Sequence, residues 1–113
     1  MTLNMHTLGN SVVVIELQGR FETTVAQEFV LQFNDLMDDG VERLIVDLGQ
    51  VKLMGSTGLA ALIYALKRLR ERRGDLHLCC VPDTVQQVFK LTRLQLVFKI
   101  FDDQHAAHLA FSA

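Results

Sequence analysis

The run Arg43-Leu44-Ile45-Val46-Asp47-Leu48 is short and almost continuously apolar, the pattern of a strand buried on both faces. Beyond it, apolar residues recur at Leu59, Leu62, Ile63, Leu66 and Leu69, the spacing of a helix that turns one side to a core. A strand of this kind handing over to such a helix points to an α/β architecture, in which helices cover a largely parallel sheet. The chain has 113 residues, enough for one core and too few for two, so a single domain spanning 1–113 is expected.

The rest of the chain extends that alternation. Residues Leu3 to Leu8 and Ser11 to Leu17 are β-rich and flank Gly9-Asn10, a dipeptide suited to a two-residue hairpin turn between antiparallel strands. Val12 to Ile15 offer apolar groups to both faces, and Gly19 interrupts the pattern. Thr24-Val25-Ala26-Gln27 matches a capping box, and Phe29, Phe33, Leu36 and Met37 follow at helical spacing as far as Gly40, a C-terminal cap. Asp35, Asp38 and Asp39 fall at the end of this helix, where the dipole disfavours anions, and read as a solvated end. A second helix is predicted from Ser56 to about Arg72, ending at Gly74. Asp75 to Val81 reads as another buried strand, and Pro82-Asp83-Thr84 opens a third helix carrying Val85, Val88 and Phe89 on one side. Leu96, Phe98 and Ile100 alternate like a last strand, and Asp102 or Asp103 can cap a final helix running through Phe111. The expected fold is therefore α/β, with an N-terminal hairpin, later strands mostly parallel, and about four helices.

The formal net charge of -2 supplies no global positive field for nucleic acid or anionic lipid. Lys67, Arg68, Arg70, Arg72 and Arg73 cluster at the end of the second helix, where cations suit the dipole, and read as a solvated face. The longest apolar run, Leu59 to Leu66, is too short to span a bilayer, and Met1-Thr2-Leu3-Asn4 begins no export signal. A cytoplasmic protein without membrane insertion is expected. Cys79 and Cys80 are adjacent on a predicted strand, which directs them to opposite faces as buried structural thiols.

Little in the chain points to catalysis. Met54-Gly55-Ser56-Thr57-Gly58 lacks the first glycine of the nucleophile elbow G-x-S-x-G, and the chain is short for a hydrolase that builds on it. A phosphate-cradling G-x-x-x-x-G-K-[ST] loop is absent, since Met54 stands where its second glycine belongs. His105 and His108 share a helical face without a third ligand in spacing and read as surface residues; His6 and His77 lie in β-like segments with no partner close in sequence. Neither an enzymatic activity nor a cofactor is expected.

What remains is a hydroxyl at a strand-to-helix junction. Ser56 and Thr57 stand where the first backbone N–H groups of the second helix lack internal partners and the dipole is positive. Ser56 can act there as an ordinary N-cap, or it can accept negative charge that the helix end stabilises. Gly58, Ala61 and Ala65 form a stripe of small residues beside it, with Ala60 and Tyr64 adjacent. Such a stripe either packs against a neighbouring helix or, if exposed, lets a partner approach closely.

The strand Leu44 to Leu48, the segment Val51 to Leu59 and the downstream Val85 to Phe98 resemble the STAS domain, specifically the bacterial anti-sigma factor antagonists. Nearly the whole chain takes part, including the early hairpin and Gly19-Arg20-Phe21. The most specific match is Ser56-Thr57-Gly58-Leu59, the last four positions of the family pattern D-S-[ST]-G-[LIV]; Gly55 stands where the family has Asp. The resemblance implies an antagonist that, unmodified, holds an anti-sigma factor which is also a serine kinase, thereby freeing a sigma factor. Carried over, it makes Ser56 the phosphorylated residue and Thr57 the secondary candidate, with a serine phosphatase to reset the switch. The partner contact expected from these readings comprises Gly55, Ser56, Thr57, Gly58, Ala61 and Ala65. The departure at Gly55 leaves open a STAS module without a phospho-switch, such as an accessory subunit of a membrane transporter or signalling complex.

Overall fold

Strand alternation divides the side chains of the sheet between two unequal layers. In the computed structural model, which describes residues 3–112, the strands are β1 (Leu3–Leu8), β2 (Val12–Phe21), β3 (Arg43–Met54), β4 (Asp75–Cys79) and β5 (Lys99–Phe101). The helices are α1 (Thr23–Asp38), α2 (Ser56–Glu71), α3 (Asp83–Thr92) and α4 (Gln104–Leu109). Met1, Thr2 and Ala113 lie outside the described residues, and with them the ends of the expected 1–113 domain and half of the Met1-Thr2-Leu3-Asn4 segment. Strand order follows chain order, with β1 antiparallel to β2 and every later neighbour parallel. This is the mixed sheet that the sequence pattern predicts.

Val13, Ile15 and Leu17 of β2, Leu44, Val46 and Leu48 of β3, and Leu76 and Leu78 of β4 enter one large core with α1, α2 and α3. Val12, Val14, Ile45 and Cys79 face the other way, onto Ala107 of α4. Three helices thus cover one face, and a single short helix covers the other. Phe21, Phe29 and Phe33 link β2 to α1 through an edge-to-face and a stacked ring pair with centroids 5.6 and 6.2 Å apart.

Several local expectations are corrected. The hairpin turn has three residues, not two: Gly9–Ser11 form a 3-10 turn and Leu8 pairs with Val12. Asn10 and Ser11 carry the left-handed φ values of 63° and 57° that the turn requires. Helix α1 starts at Thr23 with Glu22 as N-cap, so Thr24 forms no capping box. Its C-terminus behaves as expected, because Gly40 at φ 84° lets its own N–H reach the Met37 carbonyl while Val41 reaches Leu36. At the end of α2 the left-handed residue is Arg73, at φ 63°, rather than Gly74. Gly74 is needed for space, since a Cβ there would stand 2.2 Å from the Glu42 carbonyl oxygen.

The predicted alternation at Leu96, Phe98 and Ile100 is not that of one strand. Leu94–Leu96 form a 3-10 turn after Arg93 ends α3 in the left-handed region, and only Lys99–Phe101 pair with β4. Leu96 is exposed, whereas Phe98 turns into the core against Phe89. At the last helix, Asp103 is the residue that caps, accepting from the Ala106 N–H at 2.8 Å. The basic cluster ending α2 is largely exposed but also ties elements together: Arg72 donates to the Met37 carbonyl at 2.6 Å, and Arg70 to Asp75 and the Val97 carbonyl.

Candidate functional site

The junction of β3 and α2 is built on the end of β2. Gly19, at φ 77°, and two register shifts, each placing one extra residue on β3, carry the β2–β3 pairing as far as Phe21 opposite Met54. The Phe21 carbonyl then accepts the Gly55 N–H at 3.1 Å. Gly58, one turn along α2, rests on the same carbonyl: a Cβ there would stand 2.1 Å from the Phe21 oxygen. A glycine at this position is a condition for α2 to approach β2.

Gly55 is the N-cap residue of α2, and no side chain caps the helix. Ser56 is therefore the first helical residue rather than the cap. The N–H of Leu59 is the first to find an intrahelical carbonyl, that of Gly55, at 3.0 Å. The two hydroxyls differ sharply in their surroundings. Thr57 Oγ1 accepts the backbone N–H of Thr23 at 2.8 Å and so pins the start of α1 to the start of α2. Ser56 is exposed and, among the described residues, its hydroxyl makes no hydrogen bond. The Ser56 oxygen is thus open to solvent, while the Thr57 oxygen is already engaged.

The stripe of small residues is corrected in its exposure. Gly58, Ala61 and Ala65 are buried, Ala65 completely. Their small size lets α2 pack closely on Phe21 and the core, which is the structural alternative that the pattern left open. The exposed surface instead runs through Ser56, Thr57 and Ala60. It continues into an open groove of about 670 Å³ between α1 and α2, whose lining includes Ala26, Val30, Leu31, Ala60, Ala61 and Tyr64. Of the three small residues, Ala61 alone touches this groove. Leu31, on its rim, is 66% exposed. Tyr64 is fixed by donating its hydroxyl to Asn34 at 2.7 Å and accepting from Arg68 at 2.8 Å. No sequence signal marks Thr23, Val30 or Leu31, because the spacing predicts α1 as a helix without specifying which neighbour its outer side meets.

Gly55 also has a spatial explanation. Its φ of −88° suits any residue, yet a Cβ there would stand 2.7 Å from the Glu22 Cβ and 3.4 Å from a Glu22 carboxylate oxygen. Glu22, paired with Arg20 at 3.4 Å, occupies the space that a side chain at 55 would need.

A family model for the STAS domain matches residues 4–107. The chain belongs to the STAS domain family. BtrV of Bordetella bronchiseptica, whose name assigns it to the anti-sigma factor antagonists, is 28% identical over 111 residues, covering 98% of this chain and 95% of its own. A Thermotoga maritima crystal structure superposes with a TM-score of 0.92 at 20% identity, covering 98% of this chain and 95% of that one. SpoIIAA, named an anti-sigma factor antagonist, is known in unphosphorylated and phosphorylated forms. Both superpose with a TM-score of 0.78 at 16% identity, and the phosphorylated Bacillus form covers 98% of this STAS chain and 99% of its own.

The remaining candidates are dispersed. No helix among the described residues is long and apolar enough to cross a membrane. His77 is buried, stacked on Phe111 with ring centroids 3.7 Å apart, and its Nδ1 donates to the Ala107 carbonyl at 2.9 Å. The partner that the sequence reading missed is Asp75, two residues away, with an oxygen 3.8 Å from Nε2. His108, partly buried, meets the Gly9 carbonyl at 2.9 Å, and His105 is exposed. Cys79 and Cys80 do not diverge to opposite faces. Cys80 has φ 59°, which turns its Sγ to within 3.6 Å of that of Cys79. Burial, with the Asp47 carboxylate adding to it, pushes the Cys79 thiol well above its ordinary range, and burial raises Cys80 as well.

Proposed function

We propose that this STAS domain is an anti-sigma factor antagonist that, unphosphorylated, captures an anti-sigma factor with serine-kinase activity and so releases a sigma factor. Phosphorylation of Ser56 ends that capture. The observation that carries the reading is the exposed, unengaged Ser56 hydroxyl at an uncapped helix start, beside a Thr57 hydroxyl that the fold already uses. The names of BtrV and SpoIIAA support the class of partner.

Electrostatics supplies the switch. A phosphoryl group adds about −1.5 to −2 charge at neutral pH. In the free protein, the unpaired N–H groups and the helix dipole stabilise it. In a complex covering Ser56, the same dianion is desolvated, and a cost of about 4 kcal/mol weakens binding roughly a thousandfold. The contact consists of Gly55, Ser56, Thr57 and Ala60 with the α1/α2 groove, where an apolar side chain of the partner enters between Leu31 and Tyr64. Gly58 and Ala65 serve it from beneath, by setting the position of α2. A serine phosphatase resets the switch, and the cycle takes place in the cytoplasm with no enzymatic step, cofactor or nucleic-acid contact of the antagonist's own.

The test combines modification with binding. Incubation with the anti-sigma kinase and ATP should place one phosphate on Ser56, located by mass spectrometry of the peptide, and none on a Ser56→Ala chain. Ser56→Asp should weaken capture by a hundredfold or more, whereas Ser56→Ala should retain it. Phosphate elsewhere, or wild-type capture by Ser56→Asp, would refute the switch.

A further inference from the structure

We propose that Asp47, Cys79 and Cys80 form a binding site for a thiophilic divalent cation of the zinc class. The site lies on the α4 face of the sheet, opposite the core that α1 and α2 share, and it rests on none of the reading given for Ser56.

The ligand atoms are already assembled. A carboxylate oxygen of Asp47 and the two sulfurs all lie within 4.8 Å of one another. Two thiolates on one tetrahedral zinc ion, each at about 2.3 Å, stand about 3.8 Å apart; here the sulfurs are 3.6 Å apart. Asp47 and Cys79 are register partners on β3 and β4, so their side chains share a face. Cys80 would diverge in an extended strand, and it is the left-handed backbone at φ 59° that returns its sulfur to the cluster. That conformation costs energy for a residue with a side chain, and such backbones concentrate at functional positions.

Asp47 is held as metal-bound carboxylates are. The Gly49 N–H donates to its Oδ1 at 2.8 Å, and Gln104 of α4 donates to its Oδ2 at 2.6 Å. Lone pairs remain on both oxygens for a cation. A Cβ on Gly49 would stand 3.1 Å from Oδ1 and 3.2 Å from the Cys80 Cβ, crowding the cluster.

Charge supplies the independent argument. Glu16 is the register partner of Asp47 on β2, and Gln104 donates to both carboxylates from one amide nitrogen, at 2.8 and 2.6 Å. Like charges facing each other across a ladder destabilise a sheet. Among the described residues, no Lys or Arg forms an ion pair with either. A divalent cation on Asp47 would relieve that repulsion. On binding, each thiol releases its proton to solvent and the sulfur's electron pair forms the metal bond. Three protein ligands leave the fourth position to water. Asp47 and Cys80 are partly exposed and provide the entry.

The experiment uses the full chain, stripped with chelator, kept reduced by a phosphine and titrated with Co²⁺. The expected result is thiolate-to-cobalt charge-transfer absorption with visible bands of tetrahedral intensity, saturating at about one equivalent and erased by one equivalent of Zn²⁺. Cys80→Ser should lose part of the charge-transfer band and weaken affinity at least tenfold, and Gln104→Ala should weaken it about 10–100-fold by loosening Asp47. Circular dichroism checks that both variants are folded. Absence of charge transfer in the wild-type chain overturns the proposal without any variant. So does a wild-type spectrum in folded Cys80→Ser, which would place the metal elsewhere.

Discussion

Thr57 Oγ1 accepts the backbone N–H of Thr23 at 2.8 Å, across 34 positions of sequence. Thr23 opens α1 with a φ of 42°, and its N–H is one of the donors that a helix start leaves without a partner. The bond thus turns one of two adjacent hydroxyls into structure and leaves the other, that of Ser56, exposed and without a hydrogen bond. Thr57→Val should lower stability by about 0.5–1.5 kcal/mol, the net worth of one hydrogen bond, and Thr57→Ser should recover most of it. Ser56→Ala, at an exposed position, should stay within about 0.5 kcal/mol of wild type. Urea denaturation of the three variants measures the contrast.

Glu22 and Gly55 compete for one volume. Gly55→Asp should therefore cost about 1–3 kcal/mol through the clash at the Glu22 Cβ. In a Glu22→Gly background that Cβ is gone, and the same substitution should cost less. A double-mutant cycle by chemical denaturation should give a coupling of about 1 kcal/mol or more. Additive single effects would mean that the loop moves aside instead.

Gly58→Ala sets helix propensity against packing. Alanine gains about 1 kcal/mol in a helix interior. The new Cβ, however, would stand 2.1 Å from a backbone oxygen that cannot rotate away. The net should be a destabilisation of about 2 kcal/mol or more, visible as a lower Tm, with α2 displaced from Phe21.

Ala60→Glu probes the corrected surface. Ala60 is exposed on the groove between α1 and α2, so the variant should keep wild-type stability within about 0.5 kcal/mol. It should also weaken capture of the anti-sigma partner at least tenfold, measured by calorimetry. Wild-type capture would remove the groove from the proposed contact.

The elements were legible where burial sets the pattern. Leu44 to Leu48 and the Leu59 to Leu69 spacing predicted β3 and α2 because one fully covered strand and one core-facing helix leave strong periodicities. Illegible were features set by distant approach. That Gly58 and Gly74 serve Phe21 and Glu42, and that Thr57 serves Thr23, depends on pairs far apart in sequence. Ala61 and Ala65 read equally well as an exposed stripe or a packed one, since periodicity gives a face but not its neighbour. Cys80 escaped for another reason: a left-handed residue after a strand breaks the alternation that placed it.

His77 gives the fold a dependence on pH. Burial holds its imidazolium below the ordinary value of 6.5, with Lys99 acting in the same direction, and these outweigh the Ala107 carbonyl and Asp75, which favour the charged form. The folded state therefore keeps the ring neutral under conditions where the unfolded chain has begun to bind a proton. Since stability falls wherever the unfolded state holds more protons, it should decline as pH drops below 6.5 toward the folded value. Asp75 acts in a different window. Burial alone would raise it, but Lys99 at 2.8 Å, the Leu76 N–H and Arg70 hold it below its ordinary 3.8, so its contribution is lost only at more acidic pH. His77→Phe preserves the stacking on Phe111 and removes the titration. Between pH 7 and 5 the wild-type chain should lose more stability than this variant, as measured by urea denaturation at each pH, and equal slopes would show that the ring is not the titrating group.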